Sequence, residues 1–168
     1  MRNLVMFFLI IIGSVLQAIV PTWAFLSHGK IPFLLSIVLY YAFTADRSTT
    51  LRAAFTAGLL QDALGLIPLG YSSFCFCLVG WIVCRFKELI FGYQLITQIW
   101  FGALANTVTT SLLWGLLVLS NKMDPLFTWV LFKGVGAFME GALTVPIVFK
   151  ITRYVDTRVG NVEEATAS

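Results

Sequence analysis

Charged residues are scarce in this chain. Only 11% of its 168 residues are Asp, Glu, Lys or Arg, whereas 59% are hydrophobic, and the mean hydropathy is +0.90. Soluble globular domains carry about 25% charged residues. The composition therefore excludes an ordinary soluble domain and indicates a membrane protein. A hydrocarbon core of about 30 Å needs roughly 20 apolar residues per helix, so the chain has room for about six spans.

Histidine and cysteine are also rare, which limits the chemistry available. The single histidine, His28, lies in a loop with no cysteine or carboxylate close to it in sequence. Cys75, Cys77 and Cys84 lie in one apolar run, where residues two apart on a helix point away from each other and cannot share an ion. The sequence also has no phosphate-binding GxxxxGK[ST] loop. We therefore predict no catalytic residues, no metal site and no cofactor.

Long apolar runs dominate the rest of the chain. They do not alternate between apolar and polar positions, as the strands of a membrane β-barrel do, so helices are predicted. The fold class is an all-α membrane protein, with one transmembrane domain over residues 1–160 and a short polar tail over 161–168. The second and fourth runs are short, which leaves three possibilities open: little tilt, extension into their flanks, or a position sunk between longer neighbours. The six predicted helices cover approximately residues 4–26, 32–45, 51–68, 70–84, 95–119 and 126–149.

The basic residues predict the orientation. Placing the N-terminus in the cytoplasm, with six spans, puts eight of the eleven Lys and Arg residues on the cytoplasmic side, as the positive-inside rule requires. Both termini are then cytoplasmic. The net charge of +3 is spread over several loops, so it does not form a basic patch for a nucleic acid. The eight residues are Arg2, Arg47, Arg52, Arg85, Lys87, Lys150, Arg153 and Arg158.

Three ionisable residues fall inside apolar runs: Asp62, Lys133 and Glu140. Such residues are costly in lipid unless they are paired or hydrated. Asp62 lies about 16 Å into the third predicted helix from the cytoplasmic side, and Lys133 about 10 Å into the sixth from the other side. Their similar depth suggests an ion pair between the two helices. Alternatively, Asp62 caps a helix break at Gly65 and Pro68 while Lys133 extends towards the membrane surface.

Polar and small residues nearby complete the candidate intramembrane site. Gln61 precedes Asp62, and Asn106 offers a neutral hydrogen-bonding group on the fifth run. Glu140 follows Lys133 by seven residues, so the two share a helix face about 10 Å apart. Small residues beside them, Gly134, Gly136 and Gly141, would let another helix approach closely.

Several blocks, in this order, carry a resemblance to a known family. They are Pro21-Thr22-Trp23, PFLLSIVLYYAF over residues 32–43 with a polar Asp46-Arg47 end, GLLQDALGLIPLG over residues 58–70, and YSSFCFCLVGWIVCRF over residues 71–86. With these blocks the whole chain resembles the MreD family of the bacterial rod-shape and cell-elongation machinery. The family motif is carried here by Gly58, Asp62, Gly65, Leu69 and Gly70.

The resemblance has implications for fold, location and partners. It implies a multi-pass protein of the bacterial cytoplasmic membrane, similar in fold to the substrate-binding subunits of energy-coupling-factor transporters. It implies binding to an MreC-like periplasmic scaffold and association with the glycosyltransferase and transpeptidase of cell elongation, among membrane lipids. The family has no established reaction, so the expected function is a non-enzymatic subunit that supports lateral peptidoglycan synthesis and cell shape.

Two other function classes remain open at this stage. A small-molecule-binding or transport subunit would use a cavity lined by Asp62, Gln61, Lys133 and aromatic residues such as Trp129 or Tyr71. It would need a partner to supply energy. A membrane hydrolase would need Asp62 and Glu140 to converge, yet their estimated depths place them in different leaflets.

Overall fold

The computed structural model describes residues 2–19, 31–65, 67–87, 95–120 and 127–159. Over these ranges the regular structure is entirely helical, which confirms the predicted all-α class. The helices in chain order are α1 (Arg2–Ile19), α2 (Phe33–Thr44), α3 (Arg47–Gly65), α4 (Tyr71–Phe86), α5 (Leu95–Leu119) and α6 (Phe127–Arg158).

Helix α2 forms the centre of the bundle. Nine consecutive residues, Leu34–Ala42, are buried around its whole circumference, as expected for a helix that is apolar on every side. Its 12 residues give a length of about 18 Å, well short of a hydrocarbon core. It packs against all five other helices. Of the three possibilities for this short run, the structure shows the one in which it is sunk between longer neighbours.

The other helices surround α2, and two antiparallel pairs, α3–α4 and α5–α6, make the most extensive contacts. At one end of the bundle, Gln61 near the end of α3 contacts Gln17 near the end of α1. We call this the Asp62 end. At the opposite end, Lys87 after α4 contacts Ala45 after α2, and we call this the Lys87 end.

Aromatic rings fill the core towards the Lys87 end. The ring of Phe149 on α6 lies 5.6 Å from that of Tyr40 and 5.8 Å from that of Phe43, both on α2. Phe43 also contacts Phe101 on α5, with ring centroids 5.9 Å apart. All three contacts are edge-to-face, the geometry that aromatic quadrupoles favour. They fix α2 against the α5–α6 pair.

The helix bounds differ from the predicted runs where polar residues continue a helix. Helix α3 begins at Arg47 rather than residue 51 and ends at Gly65 rather than 68, and α6 continues to Arg158 rather than stopping at 149. The predictions followed apolarity, whereas a helical backbone continues through polar residues until a cap or a break ends it. Residues 20–26 of the first predicted run and the tail over 161–168 lie outside the described residues.

Two of these helices are long and apolar enough to cross a membrane by length and composition, over Leu95–Leu119 and Lys133–Arg158. Three shorter helices are also apolar, over Asn3–Ile19, Phe33–Thr44 and Tyr71–Phe86. Helix α1 turns a wide apolar face away from the bundle, with Leu4, Phe8, Ile11 and Ile19 all exposed. A continuous apolar face of this kind is rare on soluble monomers and suits contact with lipid or another helix.

Candidate intramembrane site around Asp62

The site is built on the short turn that reverses the chain between α3 and α4. Helix α3 closes with a hydrogen bond from the Ile67 N–H to the Asp62 carbonyl oxygen, 3.2 Å long, a pattern typical of helix C-termini. Gly70 then adopts φ = +104°, a conformation that side chains with a Cβ rarely adopt. The turn therefore begins at Asp62 and ends at a glycine just before Tyr71.

The Asp62 side chain caps the next helix. Its solvent exposure is 0%, and its Oδ2 accepts a hydrogen bond from the Gly70 N–H at 2.7 Å. Its Oδ1 accepts from the Ser72 N–H at 3.0 Å. These are free N–H groups at the positive end of the α4 helix dipole, where a carboxylate is stabilised. Asp62 thus satisfies backbone donors that Gly70, which has no side chain, cannot satisfy itself.

Close contact between α3 and α4 holds this turn in place. A Cβ added at Gly58 would lie 2.3 Å from the Ser73 Cα and 2.4 Å from the Ser73 nitrogen, so the two backbones touch there. The Ser73 hydroxyl donates a hydrogen bond to the Phe55 carbonyl oxygen across the same interface, at 3.2 Å. Within the described structure, the buried Oγ of Ser72 has no hydrogen-bond partner. Small residues on both helices therefore bring Ser72 within reach of Asp62.

Gln61 connects the same turn to two other helices. Its Oε1 accepts a hydrogen bond from the Gln17 Nε2 at 3.3 Å, and the Gln17 Oε1 accepts from the Leu34 N–H at the start of α2. The pair of amides therefore joins α1, α2 and α3 at the Asp62 end. Gln17 was not among the predicted site residues, although a glutamine within the apolar first run was a visible signal.

A further contact joins the turn to α5. The Tyr71 hydroxyl and the Ser120 hydroxyl form a hydrogen bond, which connects the first residue of α4 to the end of α5. The neighbouring motif residue, Leu69, is exposed. The motif residues thus have distinct positions: Asp62 caps, Gly58 and Gly70 allow the backbone geometry, and Leu69 faces outwards.

Asn106 belongs to a separate interface, between α5 and α6. Its Nδ2 donates a hydrogen bond to the Ala137 carbonyl oxygen at 2.7 Å. One turn away, a Cβ added at Gly141 would lie 2.3 Å from the Gly102 carbonyl oxygen, and one added at Gly102 would lie 2.5 Å from the Val145 Cβ. The amide and the two glycines therefore fix the crossing of these helices.

Lys133 and Glu140 lie on α6, and the structure does not bring them to Asp62. Both are half-buried. Helix α3 packs against α1, α2 and α4, whereas α6 packs against α5 and α2 and, to a small extent, α1. Across the described ranges no ion pair joins Lys133 to Asp62, whose oxygens are bonded to Gly70 and Ser72 instead. The cap, rather than the ion pair, is the role that this geometry supports for Asp62.

Polar contacts at the Lys87 end were not predicted from the sequence. The Lys87 Nζ donates a hydrogen bond to the Ala45 carbonyl oxygen at 2.9 Å, at the negative end of α2. The Thr50 hydroxyl donates to the Tyr41 carbonyl oxygen at 3.0 Å, and the Cys84 thiol lies 3.4 Å from the Ala42 carbonyl oxygen. The sequence identifies Lys87 only as one of the basic residues that indicate topology, because its hydrogen-bond partner is distant in sequence.

Some candidates from the sequence lie outside the described residues: Pro21-Thr22-Trp23, His28 and the side chain of Trp129. Within the ranges that are described, no group of three or more His, Cys, Asp or Glu side chains is placed to hold a metal ion. The polar groups of the Asp62 site are bonded mainly to backbone groups and to each other. Their arrangement holds helices together.

The chain is similar to a known protein family. The family model described as rod shape-determining protein MreD matches residues 1–156, a range that includes the whole α3–α4 turn and almost all of α6. No curated protein and no solved structure matches the chain.

Proposed function

The chain belongs to the rod shape-determining protein MreD family, and we propose that it serves bacterial cell elongation as a non-enzymatic membrane subunit. In this role it binds an MreC-like periplasmic scaffold and, through it, supports the glycosyltransferase and transpeptidase that build the lateral wall. The family match over residues 1–156 carries this proposal. It makes the chain a membrane protein that acts in determining cell shape.

The use of the polar side chains between the helices supports a binding role. Asp62 caps α4, Gln61 links α3 to α1, and Asn106 links α5 to α6. Each of these side chains is engaged in holding one helix to another. What the bundle then offers a partner is its lateral surface, where membrane helices associate through close packing and interhelical hydrogen bonds.

The proposal includes a topology of six spans with both termini in the cytoplasm. Seven of the eight basic residues that predict this orientation lie on helix segments near the Lys87 end of the bundle, from Arg2 at the start of α1 to Arg158 at the end of α6, and Lys87 directly follows α4. Lys133 lies in the other half of α6. This clustering at one end supports a cytoplasmic location for the Lys87 end.

Crosslinking in native membranes tests the functional proposal. The tagged chain, expressed at its natural level, is crosslinked, purified and analysed by mass spectrometry. We expect recovery of an MreC-like scaffold together with elongation synthases. An unrelated multi-pass protein with the same tag and expression level serves as the control for nonspecific capture.

An Asp62→Asn variant adds a second arm. Because Asp62 caps α4 within the fold, the variant should lose partners only in proportion to the folded protein it loses. Recovery of an ATP-driven coupling module in place of the scaffold would contradict the proposal and indicate a transport subunit.

A further inference from the structure

Helix α6 carries two half-buried ionisable side chains that have no partner in the described part of the chain. Lys133 and Glu140 are half-buried, and neither side chain takes part in an ion pair or hydrogen bond there. The Thr144 hydroxyl donates to the backbone carbonyl oxygen of Glu140 and leaves its carboxylate unbonded. This contrasts with Asp62, whose two oxygens both accept backbone hydrogen bonds.

The depth of Glu140 makes its lack of a partner significant. It lies about 20 Å from Phe127, where α6 begins, and about 15 Å from Lys150, the next basic residue along the helix. A glutamate side chain is too short to reach the level of either residue. Lys133 lies about 9 Å from the start of α6 and has a longer side chain. Glu140 is therefore the residue that most needs a partner, because an ionisable group in hydrocarbon is costly when unpaired.

Both residues lie along the same face of the helix. Their spacing of seven residues corresponds to nearly two full turns, and the face continues through Thr144, Ile147 and Ile151. Ile147 is 58% exposed and Ile151 is 56% exposed. The face thus combines apolar side chains with one positive and one negative group in a fixed order along the axis.

We propose that this face of α6, defined by Lys133, Glu140, Ile147 and Ile151, docks a transmembrane helix of a different protein. That helix presents a basic or hydrogen-bond-donating side chain to Glu140 and an acidic or accepting side chain to Lys133. The inference rests on the proposed function, since it assigns the surface that a partner of the elongation complex contacts.

Charge order argues against a second copy of the chain as the occupant. In a symmetric dimer within one membrane, the two α6 helices run parallel and place identical residues at the same depth. Glu140 would then face Glu140, and Lys133 would face Lys133. Pairing the opposite charges would require spanning about 10 Å along the axis. A different helix has no such restriction.

Site-specific photocrosslinking in native membranes tests the proposed surface. A photoreactive residue is placed at Ile147 on this face or at Leu143 beside it, and at Phe8 or Ile11 on the exposed face of α1 as matched controls. The exposed fractions are similar, 63% and 58% on α6 against 62% and 54% on α1. We expect adducts with a transmembrane segment of one protein from the α6 positions, and none above background from α1. Equal adducts from both faces, or adducts with a second copy, would overturn the proposal.

Exchanging the charges of Lys133 and Glu140 distinguishes contact with a partner helix from a structural role within this chain. The double variant Lys133→Glu with Glu140→Lys keeps the composition of the face but reverses its charge order. If the two residues interact only with each other or with lipid, the adduct yield stays at the level of the unexchanged protein and the proposal fails. If a partner helix recognises the order of the two charges, we expect the adduct yield to fall at least about tenfold, equivalent to about 1.4 kcal/mol of binding free energy. Glu140→Gln, which keeps the shape of the side chain, should give a smaller loss in the same direction.

A compensating charge reversal in the partner completes the test. The crosslinked segment should contain a complementary polar or charged residue, and reversing its charge should restore the adduct in the exchanged chain. Failure to restore it would overturn the proposal, provided thermal unfolding shows that the exchanged chain is folded. If the chain still recovers an MreC-like scaffold while α6 gives no adduct, the surface is wrong and the proposed function stands. If no scaffold is recovered at all, the proposed function itself fails.

Discussion

Asp62 shows how a carboxylate is accommodated inside this apolar bundle. Helix α3 ends at Gly65, and the chain reverses through Pro68 and Gly70. The N–H of Gly70 and that of Ser72, in the first turn of α4, then point back at the carboxylate. A hydrogen bond to a charged acceptor is stronger than a neutral one. The Asp62 carboxylate and the N-terminus of α4 therefore stabilise each other.

Replacing Asp62 by Asn should destabilise the fold. The amide keeps one acceptor oxygen but turns an NH₂ group towards a backbone N–H donor, so one bond is lost and one donor is left unsatisfied. We expect a loss of about 1–3 kcal/mol in the free energy of unfolding, measured by thermal denaturation of the purified protein in detergent. Asp62→Ala should lose at least as much.

Ser72→Ala is the matched control for this prediction. Ser72 bonds Asp62 through its backbone N–H, which the substitution retains, and its buried hydroxyl has no partner among the described residues. We expect its stability to stay within about 0.5 kcal/mol of the unaltered protein. If Ser72→Ala proved as damaging as Asp62→Asn, the carboxylate cap would not be the source of stability at this turn.

At the scale of whole helices, glycines set the two main crossings. Gly58 allows α3 to touch the backbone of α4, and Gly102 and Gly141 allow α5 and α6 to do the same. In a membrane the lipid tails are as apolar as the helix side chains, so the hydrophobic effect does not drive helices together. Small residues instead let the backbones approach closely and gain van der Waals contact. These glycines matter because of space rather than conformational freedom.

Gly58→Ala should therefore separate α3 from α4. The added methyl would lie 2.3 Å from a backbone atom of Ser73, so a helix must shift and the Asp62 cap with it. We expect a loss of about 1–3 kcal/mol or more, measured as a drop in unfolding temperature. Gly115→Ala, where nothing lies within 4 Å of the added Cβ, is the control and should be neutral or slightly stabilising because alanine favours helix. Equal drops in unfolding temperature for both variants would contradict the close contact between α3 and α4 at Gly58.

Lys87 offers a second test between elements. Its ammonium group bonds the Ala45 carbonyl oxygen after α2, where a positive charge complements the helix dipole. Lys87→Met should cost about 1–2 kcal/mol of unfolding free energy. Arg85→Met, at an exposed position near the end of α4, should cost less than about 0.5 kcal/mol. Because both substitutions remove one positive charge, equal losses in the two variants would show that net charge, and not this contact, stabilises the Lys87 end.

How well the sequence predicts the structure differs from one helix to another. The bounds of α5 coincide with its apolar run, because that run is long and bounded by polar residues. The end of α6 at Arg158 was missed, because helical hydrogen bonding continues beyond the apolar stretch. Asp62 as a helix cap was open to prediction from Gly65, Pro68 and Gly70 nearby in sequence. The link between Gln17 and Gln61 was not, because it depends on which helices become neighbours.

At the scale of the whole molecule, the two ends of the bundle differ in charge. The Lys87 end collects eight basic residues, while Asp62 and the amides of Gln17 and Gln61 lie towards the other end. This asymmetry is the physical basis of the proposed orientation. The similarity in fold to energy-coupling-factor substrate-binding subunits stays a prediction, since no solved structure matches the chain.

The orientation is testable with terminal reporters. A fluorescent protein fused after Ser168 should fold and fluoresce, and alkaline phosphatase fused there should be inactive, because we expect the C-terminus in the cytoplasm. Truncating the chain after α5 before fusing the same reporters should reverse both signals. An active phosphatase on the full-length chain would contradict six spans with a cytoplasmic N-terminus.

The most direct test of the account is reconstitution of the purified chain with a purified MreC-like scaffold in lipid nanodiscs, with the complex followed by size-exclusion chromatography and mass. The account predicts a stable complex of the two proteins that forms without nucleotide, ligand or metal. It also predicts that Gly115→Ala, altered at a site away from the proposed interface, forms the same complex. Separate elution of two folded proteins would contradict the claim that this chain is a scaffold-binding subunit.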